Sequence, residues 1–479
     1  MTIESDQLPT TRPTDTIAAG HALRGLLGGR VHLPGDPQYD AARLPWNVAV
    51  DQRPAAVALP RSASEVATVV RVAAEAGLRV APQSTGHNAR PLAEQGLDDV
   101  VIVRTSEMNT VVADPARGVV RVEGGATWEP AVLAAAAHGK AVLHGSSPDV
   151  GIAGYSLGGG IGWYARKLGL ATNSLTAVEL VVADGTLVRA DATRNAELFW
   201  ALRGGGGSFG VVTALEFRMY DIQDAYAGFL LWDLADVEPV LRTWAAWAPG
   251  APEEITTAFR ALRFPPIPEV PPFLAGRAVA MIDGAVLGSD ERGAELLAPL
   301  RALGPELDTF GRMPAKALDR LHLDPEGGAP AVSGSSMLAE LPDAAVDAWL
   351  EQAGPDATTS LNIVELRQLG GALARPHEGG GVLSYLDGGF ATLNLAMAPT
   401  PETAEQGEKD AAQVTEALAP YANGRQYLNF AESLTDASTG YRPDAWRQLV
   451  GIRSAVDPHG LFLANHRVPR LFEDGGPTA

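Results

Sequence analysis

The 479-residue chain has 46% hydrophobic and 20% charged residues, a globular composition that excludes a mainly disordered protein. Its net charge of −20 makes nucleic acids and anionic membranes poor candidate partners, because an acidic surface repels phosphate groups. The chain has no cysteine, which excludes disulfides, cysteine-ligated iron–sulfur clusters and cysteine nucleophiles.

The length predicts two domains rather than one compact core. Residues 1–15 are polar and carry acidic side chains, without the basic and then apolar pattern of a signal peptide. No apolar run is long enough to cross a membrane. We therefore expect a cytoplasmic protein.

The first half of the chain predicts short strands and helices separated by loops. Ser62 stands three residues before Glu65, a spacing typical of the start of a helix, and this helix should run to about Ala76. Further helices are expected over 129–137 and 196–202. The predicted strands and hairpins cover residues 55–59, 78–81, 99–104, 110–123, 177–183 with 186–190, and 211–217.

The second half predicts longer amphipathic helices that alternate with strands. The helices are expected over 237–248, 290–302 and 403–419, and the strands over 277–282, 360–366 and 390–397. This order is typical of an antiparallel sheet with helices packed on one face. The fold class predicted for the chain is therefore α+β.

Three loops rich in glycine, serine and threonine lie near predicted strand ends, at residues 82–88, 144–162 and 204–210. Such residues let backbone N–H groups approach a phosphate closely and form an anion-binding nest. A single glycine run more often marks only a tight turn. Three runs within about 130 residues favour a site for a diphosphate cofactor.

Two other motifs match the glycine-rich runs only in part. Gly205–Gly210 has the G-x-G-x-x-G spacing but leads into a β-type stretch instead of a helix, so NAD binding is not expected. Gly154–Gly158 matches the G-x-S-x-G motif of hydrolases but lacks the strand that must precede it. The nine histidines form no metal-binding spacing, and we expect no metal.

The motifs as a set resemble the FAD-linked oxidases of the vanillyl-alcohol-oxidase superfamily, and most closely the berberine-bridge-enzyme-like branch with its bacterial members. The resemblance extends from about residue 46 to residue 467. It is carried by the motifs at residues 85–87, 147–151, 157–162, 203–213, 427–430 and 457–465.

The resemblance implies a two-part FAD-binding domain of the PCMH type with a substrate domain inserted between its parts. The FAD-binding domain would cover residues 1–218, with its core at about 50–218. The substrate-binding domain would cover 219–424, and residues 425–479 would return to the FAD-binding domain. This division agrees with the positions of the glycine-rich loops.

The resemblance also implies that FAD is attached through the side chain of His87 to the 8α-methyl group of the flavin. Ser84 and Thr85 precede that motif where relatives often have glycine. Ser147 stands where many relatives carry a second, cysteine tether, so only a single covalent link is possible. The remaining residues expected to bind FAD are Gly86, Asn88, Val150, Gly151, Gly154, Gly158, Gly159, Gly160, Gly210, Val211 and Asn465.

A flavin oxidase that acts on an alcohol needs a base to accept the hydroxyl proton. Period-two alternation places Thr392 and Asn394 on one face of the predicted strand 390–397, and the family draws its base from this region, but neither residue is a base. The candidates that remain are Tyr427, Glu365 and Asp387. Glu365 stands close to two further polar residues, so a salt-bridged structural role is as consistent with the sequence, and Tyr427 would equally suit a packed core.

We expect an FAD-dependent oxidase that transfers hydride from an alcohol, a sugar or a secondary metabolite to the flavin, with oxygen as the acceptor. Val150 supports the choice of oxygen, because the family associates valine at this position with reaction with oxygen. Two alternatives remain open: a dehydrogenase with another acceptor, and a flavin-binding protein that does not oxidise alcohols. The partners are a small-molecule substrate and oxygen, and the sequence does not indicate an oligomeric state.

Overall fold

The computed structural model describes residues 16–268, 270–324 and 326–471. The helices are α1 Thr16–His21, α2 Tyr39–Arg43, α3 Ala63–Glu75, α4 Arg90–Ala93, α5 Trp128–Ala136, α6 Ile152–Leu157, α7 Ala165–Leu168, α8 Ala196–Leu202, α9 Val237–Trp247, α10 Asp290–Arg301, α11 Asp343–Ala353, α12 Pro401–Leu418 and α13 Pro443–Val456. The strands are β1 Val31–His32, β2 Ala56–Ala58, β3 Arg79–Gln83, β4 Val100–Arg104, β5 Val111–Asp114, β6 Val119–Glu123, β7 Leu175–Val181, β8 Leu187–Asp191, β9 Val211–Arg218, β10 Asp224–Asp233, β11 Ile255–Arg263, β12 Ala278–Val286, β13 Leu307–Asp308, β14 Gly311–Pro314, β15 Ala331–Leu338, β16 Ile363–Gln368 and β17 Phe390–Met397.

Two small sheets form the first half of the structure. One has the order β1-β2-β4-β3, in which β2, β4 and β3 are parallel, and the other is the antiparallel sheet β5-β6-β9-β7-β8. Helix α3 begins as predicted, with the Ser62 side chain accepting a hydrogen bond from the backbone N–H of Glu65. The β7–β8 hairpin turns at Gly185, whose φ of +79° favours glycine.

A large antiparallel sheet forms the second half. Its order is β13-β10-β12-β11-β16-β17-β15, and β14 pairs with β10 beside β13. Helices α9, α10, α11 and α12 cover one face and bury a core around Trp244 and Trp349. An antiparallel sheet covered by helices confirms the predicted α+β class.

The opposite face of this sheet carries charged side chains. Arg260 on β11 lies directly opposite Glu365 on β16, which in turn lies opposite Leu393 on β17. In the neighbouring row, Asp283 and Arg367 lie on either side of Ala258. Because side chains alternate between the two faces of a strand, these residues point away from the helices.

The C-terminal segment packs against the first half of the chain. Leu449 on α13 joins the core beneath the β5–β9 sheet, and Phe462 forms a parallel β-bridge with Val80 of β3. Asp457, which is fully buried, accepts hydrogen bonds from the backbone N–H groups of Leu461 and Phe462, both at 2.8 Å. Its carboxylate also pairs with the buried guanidinium of Arg453.

In the part of the chain that the structure describes, no helix combines the length and the apolar character needed to cross a membrane.

Asp457→Ala should lower the free energy of unfolding by about 3 kcal/mol, because it removes the acceptor of two buried N–H groups and the carboxylate partner of a buried arginine. The control is Asp444→Ala in helix α13, which precedes Asp457. The side chain of Asp444 is 74% exposed, so the free energy of unfolding should change by no more than about 0.5 kcal/mol. Urea unfolding measures both variants. Equal unfolding midpoints would contradict this role of Asp457.

Candidate functional site

A cavity of about 450 Å³ lies between the glycine-rich loops of the first half and the charged face of the large sheet. The C-terminal segment contributes residues 427–432 and 464–466 to its wall. The cavity is therefore assembled from segments that are far apart in the sequence. Its loop residues come from the ranges 82–88, 145–161 and 204–210.

Glycines leave room for a ligand along one side of this cavity. Gly154 and Gly206 both line it, and a Cβ atom added at either position would meet nothing within 4 Å. Gly151 and Gly158 serve close packing instead, because an added Cβ would lie 2.7 Å from Ser84 Oγ and 1.9 Å from Asn429 Oδ1, respectively. The loops thus form a cradle that larger residues would fill or distort.

Several buried polar atoms that belong to cavity-lining residues have no hydrogen-bond partner in the protein. They are Ser84 Oγ, His87 Nε2, Asn88 Oδ1 and Tyr155 Oη. Most buried polar atoms in folded proteins are paired, so a group of unpaired ones favours a polar ligand. This donor and acceptor set, together with the cradle, fits a ligand such as FAD.

His87 is held in a defined orientation at the wall of the cavity. Its ring stacks on Trp46, with centroids 4.1 Å apart and planes inclined by 15°. The Nδ1 atom lies 2.7 Å from Thr85 Oγ1, and the Nε2 atom lies 3.8 Å from Asp149 Oδ1. Both ring nitrogens are thus placed by neighbouring side chains.

Asp149 is a hydrogen-bond acceptor at the centre of this cluster. Its carboxylate accepts from Trp46 Nε1 at 2.7 Å, Ser147 Oγ at 2.9 Å and the Gly327 backbone N–H at 3.0 Å. Burial raises the pKa of Asp149, but His87 and these donors outweigh burial and leave the pKa well below its usual value. The carboxylate beside His87 is therefore ionised.

A network of charged side chains forms the floor of the cavity on the large sheet. Arg367 Nε donates to Glu365 Oε1 at 2.5 Å, and Arg367 Nη2 lies 3.1 Å from His322 Nε2. His322 Nδ1 in turn lies 3.0 Å from Asp283 Oδ2, which also pairs with Arg260. Because arginine can only donate, His322 Nε2 must be the acceptor, which leaves the ring proton on Nδ1.

The two arginines keep the buried carboxyls of the floor ionised. Burial alone would raise the pKa of Glu365, but the charge of Arg367 outweighs it and lowers that pKa. Burial likewise raises the pKa of Asp283, and the charge of Arg260 together with the hydrogen bond from His322 lowers it below its usual value. The charges of the floor therefore compensate one another within the protein.

Tyr427 lies in the cavity wall with its hydroxyl oriented by two donors. The oxygen accepts from the Gly160 backbone N–H at 2.8 Å and from Asn429 Nδ2 at 3.1 Å. Burial raises the pKa of Tyr427 to about 12, although both hydrogen bonds act in the opposite direction. The phenol of Tyr427 is therefore neutral, and its hydroxyl hydrogen takes part in neither of these two hydrogen bonds.

The strand 390–397 is present as predicted, but the face that carries Thr392 and Asn394 points away from the cavity. Thr392 and Asn394 are fully buried towards the core under the helices, and Thr392 bonds to Ser336. The residues that line the cavity are Leu393 and Leu395. Alternation does place the two side chains on one face of the strand, but only the packing of the sheet decides which face meets the helices.

Most of the other predicted residues do line the cavity. They are Glu365, Tyr427, Ser84, Thr85, Gly86, His87, Asn88, Ser147, Val150, Gly151, Gly154, Gly158, Gly210 and Asn465.

Besides Thr392 and Asn394, four expected residues lie outside the lining. Gly159 and Gly160 sit behind it with positive φ, where Tyr427 and Tyr155 leave no space for a Cβ. Val211 is fully buried in the core between the two small sheets. Asp387 is exposed and does not reach the cavity.

Sequence reasoning missed further residues that the structure brings to the site or its immediate surroundings, and Asp149, Trp46, Arg260, His322 and Glu432 are among them. Asp149 could have been found, because it follows Ser147 by two residues in the same motif. Trp46, Arg260 and His322 come from distant segments and carry no local signal. Glu432 also lines the cavity, and burial raises the pKa of its carboxyl to about 7.

The serine of the G-x-S-x-G match is not accessible to a substrate. Ser156 of the G-x-S-x-G match is fully buried within helix α6, where a substrate cannot reach it. Among the described residues, no group of three histidine or acidic side chains could hold a metal ion.

Comparisons with known proteins agree with this geometry. Residues 54–191 match the family described as "FAD binding domain". The chain is 36% identical over 205 residues to (R)-6-hydroxynicotine oxidase of Paenarthrobacter nicotinovorans, which covers 43% of this chain and 44% of the relative. It is 32% identical over 230 residues to glucooligosaccharide oxidase of Sarocladium strictum, covering 47% and 46%, so each match spans less than half of the curated relative.

Two further matches extend over almost the whole chain. The uncharacterized FAD-linked oxidoreductase YvdP of Bacillus subtilis is 27% identical over 459 residues, with 92% of this chain and 98% of the relative covered. The structure of BBE-like 1 from Physcomitrella patens superposes with a TM-score of 0.80 at 24% identity, covering 96% of this chain and 99% of that one. Residues 54–191 therefore form an FAD-binding domain, and the chain has the fold of the berberine-bridge-enzyme-like proteins.

Proposed function

We propose that this protein binds FAD in the cavity and oxidises an alcohol group of a small molecule at the charged floor. One observation carries the proposal: a glycine cradle with unpaired polar atoms faces an ionised carboxylate and an oriented phenol across a single cavity. The family match at residues 54–191 supports the cofactor. The names of the oxidase relatives support the type of reaction.

The loops at 82–88, 145–161 and 204–210 would hold the cofactor through backbone N–H groups and small side chains. Ser84 and Asn88 offer polar atoms that the protein leaves unpaired. When bound, FAD supplies the acceptor for the hydride of the substrate. The protein binds the substrate, orients it and accepts its proton.

Glu365 is the group that we assign to proton acceptance. Its carboxylate lines the cavity and is kept ionised by Arg367, so it is in the state required to accept the hydroxyl proton. Tyr427 keeps its own hydrogen available and can donate a hydrogen bond to the substrate oxygen. Arg367, fixed between Glu365 and His322, holds the carboxylate in place.

We also propose that His87 forms the covalent link to the flavin. The ring lines the cavity, stacks on Trp46 and has an ionised carboxylate 3.8 Å from Nε2. The Nδ1 atom is oriented by Thr85. A ring that is held so rigidly loses little further freedom when it bonds to a cofactor. Ser147, engaged with Asp149, would add no second link.

Oxygen is the proposed electron acceptor, and a dehydrogenase with another acceptor is the alternative. Val150 lines the cavity with a partly accessible side chain, which leaves space that a larger residue would close. The cytoplasmic location, the division at residues 218 and 424 and the absence of a nucleic-acid partner stay predictions from the sequence.

Acid precipitation of the FAD-loaded protein should give a yellow pellet, because a covalent bond survives denaturation. His87→Ala should release the colour into the supernatant. His138→Ala changes an exposed histidine outside the cavity lining and should leave the pellet yellow. Flavin absorbance of pellet and supernatant measures the result. A yellow His87→Ala pellet would place the bond elsewhere, and a colourless wild-type pellet would exclude a covalent link.

Glu365→Gln should slow the reduction of the flavin by an alcohol by about 10²–10⁴-fold, the range typical of a lost proton acceptor. The amide preserves the shape of the side chain and an acceptor for Arg367. Glu340→Gln, at an exposed residue, is the matched control and should react as the wild type does. Stopped-flow absorbance under nitrogen measures the rate. An unchanged rate would remove Glu365 from this role, and a wild type that no alcohol reduces would favour a flavin-binding protein without this activity.

Val150→Ile should slow the reoxidation of the reduced flavin by air by about tenfold, which corresponds to about 1.4 kcal/mol in the barrier. The added methylene narrows the space through which oxygen must approach. Mixing photoreduced protein with aerated buffer measures the rate. Negligible reaction of the wild type with oxygen would end the oxidase proposal and favour the dehydrogenase.

A further inference from the structure

Strand β17 carries apolar side chains on its accessible cavity face and polar side chains on its buried face. Leu393 and Leu395 are partly exposed and Met397 is 39% exposed, and all three line the cavity, whereas the polar side chains of Thr392 and Asn394 are fully buried on the other face. Single accessible leucines are common, but a contiguous apolar patch in a cavity is typical of a surface that binds an apolar group. The cavity face of this strand is thus formed by apolar side chains.

The apolar surface continues onto the neighbouring strands. Ile363 on β16 lies directly opposite Leu395, and Ala331 on β15 lies directly opposite Met397. Both of these neighbours also line the cavity. Paired residues on adjacent strands are in side-chain contact on the same face. We define the apolar wall as Ala331, Ile363, Leu393, Leu395 and Met397.

Polar groups meet this wall at one end, on the floor of the cavity. Glu365 lies directly opposite Leu393, and Arg367 packs over the ring of Phe430 with its guanidinium carbon 5.3 Å from the centroid. Arg367 donates to Glu365 and His322, and Arg260 donates to Asp283 and to the His322 carbonyl. Most of the charged donors and acceptors are therefore already engaged within the protein.

An ionisable group beside the wall indicates the same apolar character. Glu432 lines the cavity, and burial raises the pKa of its carboxyl to about 7. A carboxyl that water surrounded would keep its ordinary pKa.

This arrangement discriminates between classes of alcohol. A sugar carries a hydroxyl on nearly every carbon, and each hydroxyl buried against the wall without a partner would lose its hydrogen bonds to water. A hydrocarbon body would instead gain stability from the apolar surface that it removes from water. The wall therefore favours a substrate with one reacting hydroxyl and an apolar remainder.

We propose that the substrate is an apolar alcohol whose single hydroxyl meets Glu365 and Tyr427 while its hydrocarbon body packs on the apolar wall. Polyhydroxylated sugars are excluded as good substrates by the same wall. This inference rests on the proposed function, because it specifies which alcohol the same site accepts.

The test compares two probes that both carry oxidisable C–OH groups, cinnamyl alcohol and cellobiose, on the FAD-loaded protein. Flavin bleaching under nitrogen is expected with cinnamyl alcohol at a kcat/KM at least about 100-fold higher, equivalent to about 2.7 kcal/mol. Faster bleaching by cellobiose would overturn the inference and leave the proposed function intact. A flavin that neither probe, nor any other alcohol, bleaches would overturn the proposed function itself.

A binding measurement distinguishes the contribution of the apolar wall to substrate binding from any effect on the rate of the reaction. Leu395→Gln should weaken the binding of cinnamyl alcohol by about tenfold, equivalent to about 1.4 kcal/mol, and make the heat-capacity change of binding less negative. Leu187→Gln, at an exposed leucine on β8 outside the cavity lining, is the control. Leu393→Gln serves as the second variant in case the first does not fold. Titration calorimetry measures both quantities, and wild-type affinity in the folded wall variants would contradict the assignment.

Discussion

The site depends on the two-sided construction of the large antiparallel sheet. Four helices cover one of its faces with an apolar core, so every second residue of β11, β12, β16 and β17 must point to the other side. The loops of the first half cover part of that second face. The charges of Arg260, Asp283 and Glu365 are therefore buried, where each must be paired.

Pairing determines the chemistry that the floor can perform. Carboxylates that are buried without a cation would take up a proton, but the two arginines keep Glu365 and Asp283 ionised. His322 connects the two ion pairs and is fixed in one tautomer, because Arg367 can only donate to it. The floor thus presents the ionised carboxylate of Glu365 to the cavity. Arg367 and His322 hold this carboxylate in position.

The cofactor side is assembled from parts of the chain that meet only in the folded protein. The ring of His87 stacks on Trp46, and Asp149 beside it accepts a hydrogen bond from Gly327 in the second half. The hydroxyl of Tyr427 accepts from the backbone of Gly160. A cofactor held there would touch both halves and the C-terminal segment, so cofactor binding and the docking of these segments support each other.

The sequence by itself determined the local structure and the presence of an FAD-binding domain. The spacing of Ser62 and Glu65 predicted the start of α3, the alternation over 390–397 predicted β17, and the glycine-rich loops predicted a cradle, because capping, alternation and tight turns depend on neighbours in the chain. Only the tertiary structure decided which face of β17 meets the cavity and brought Arg260 and His322 to Glu365 and Arg367. These contacts depend on strand order and on packing between distant segments. The local sequence of one segment does not specify which other segment will pack against it.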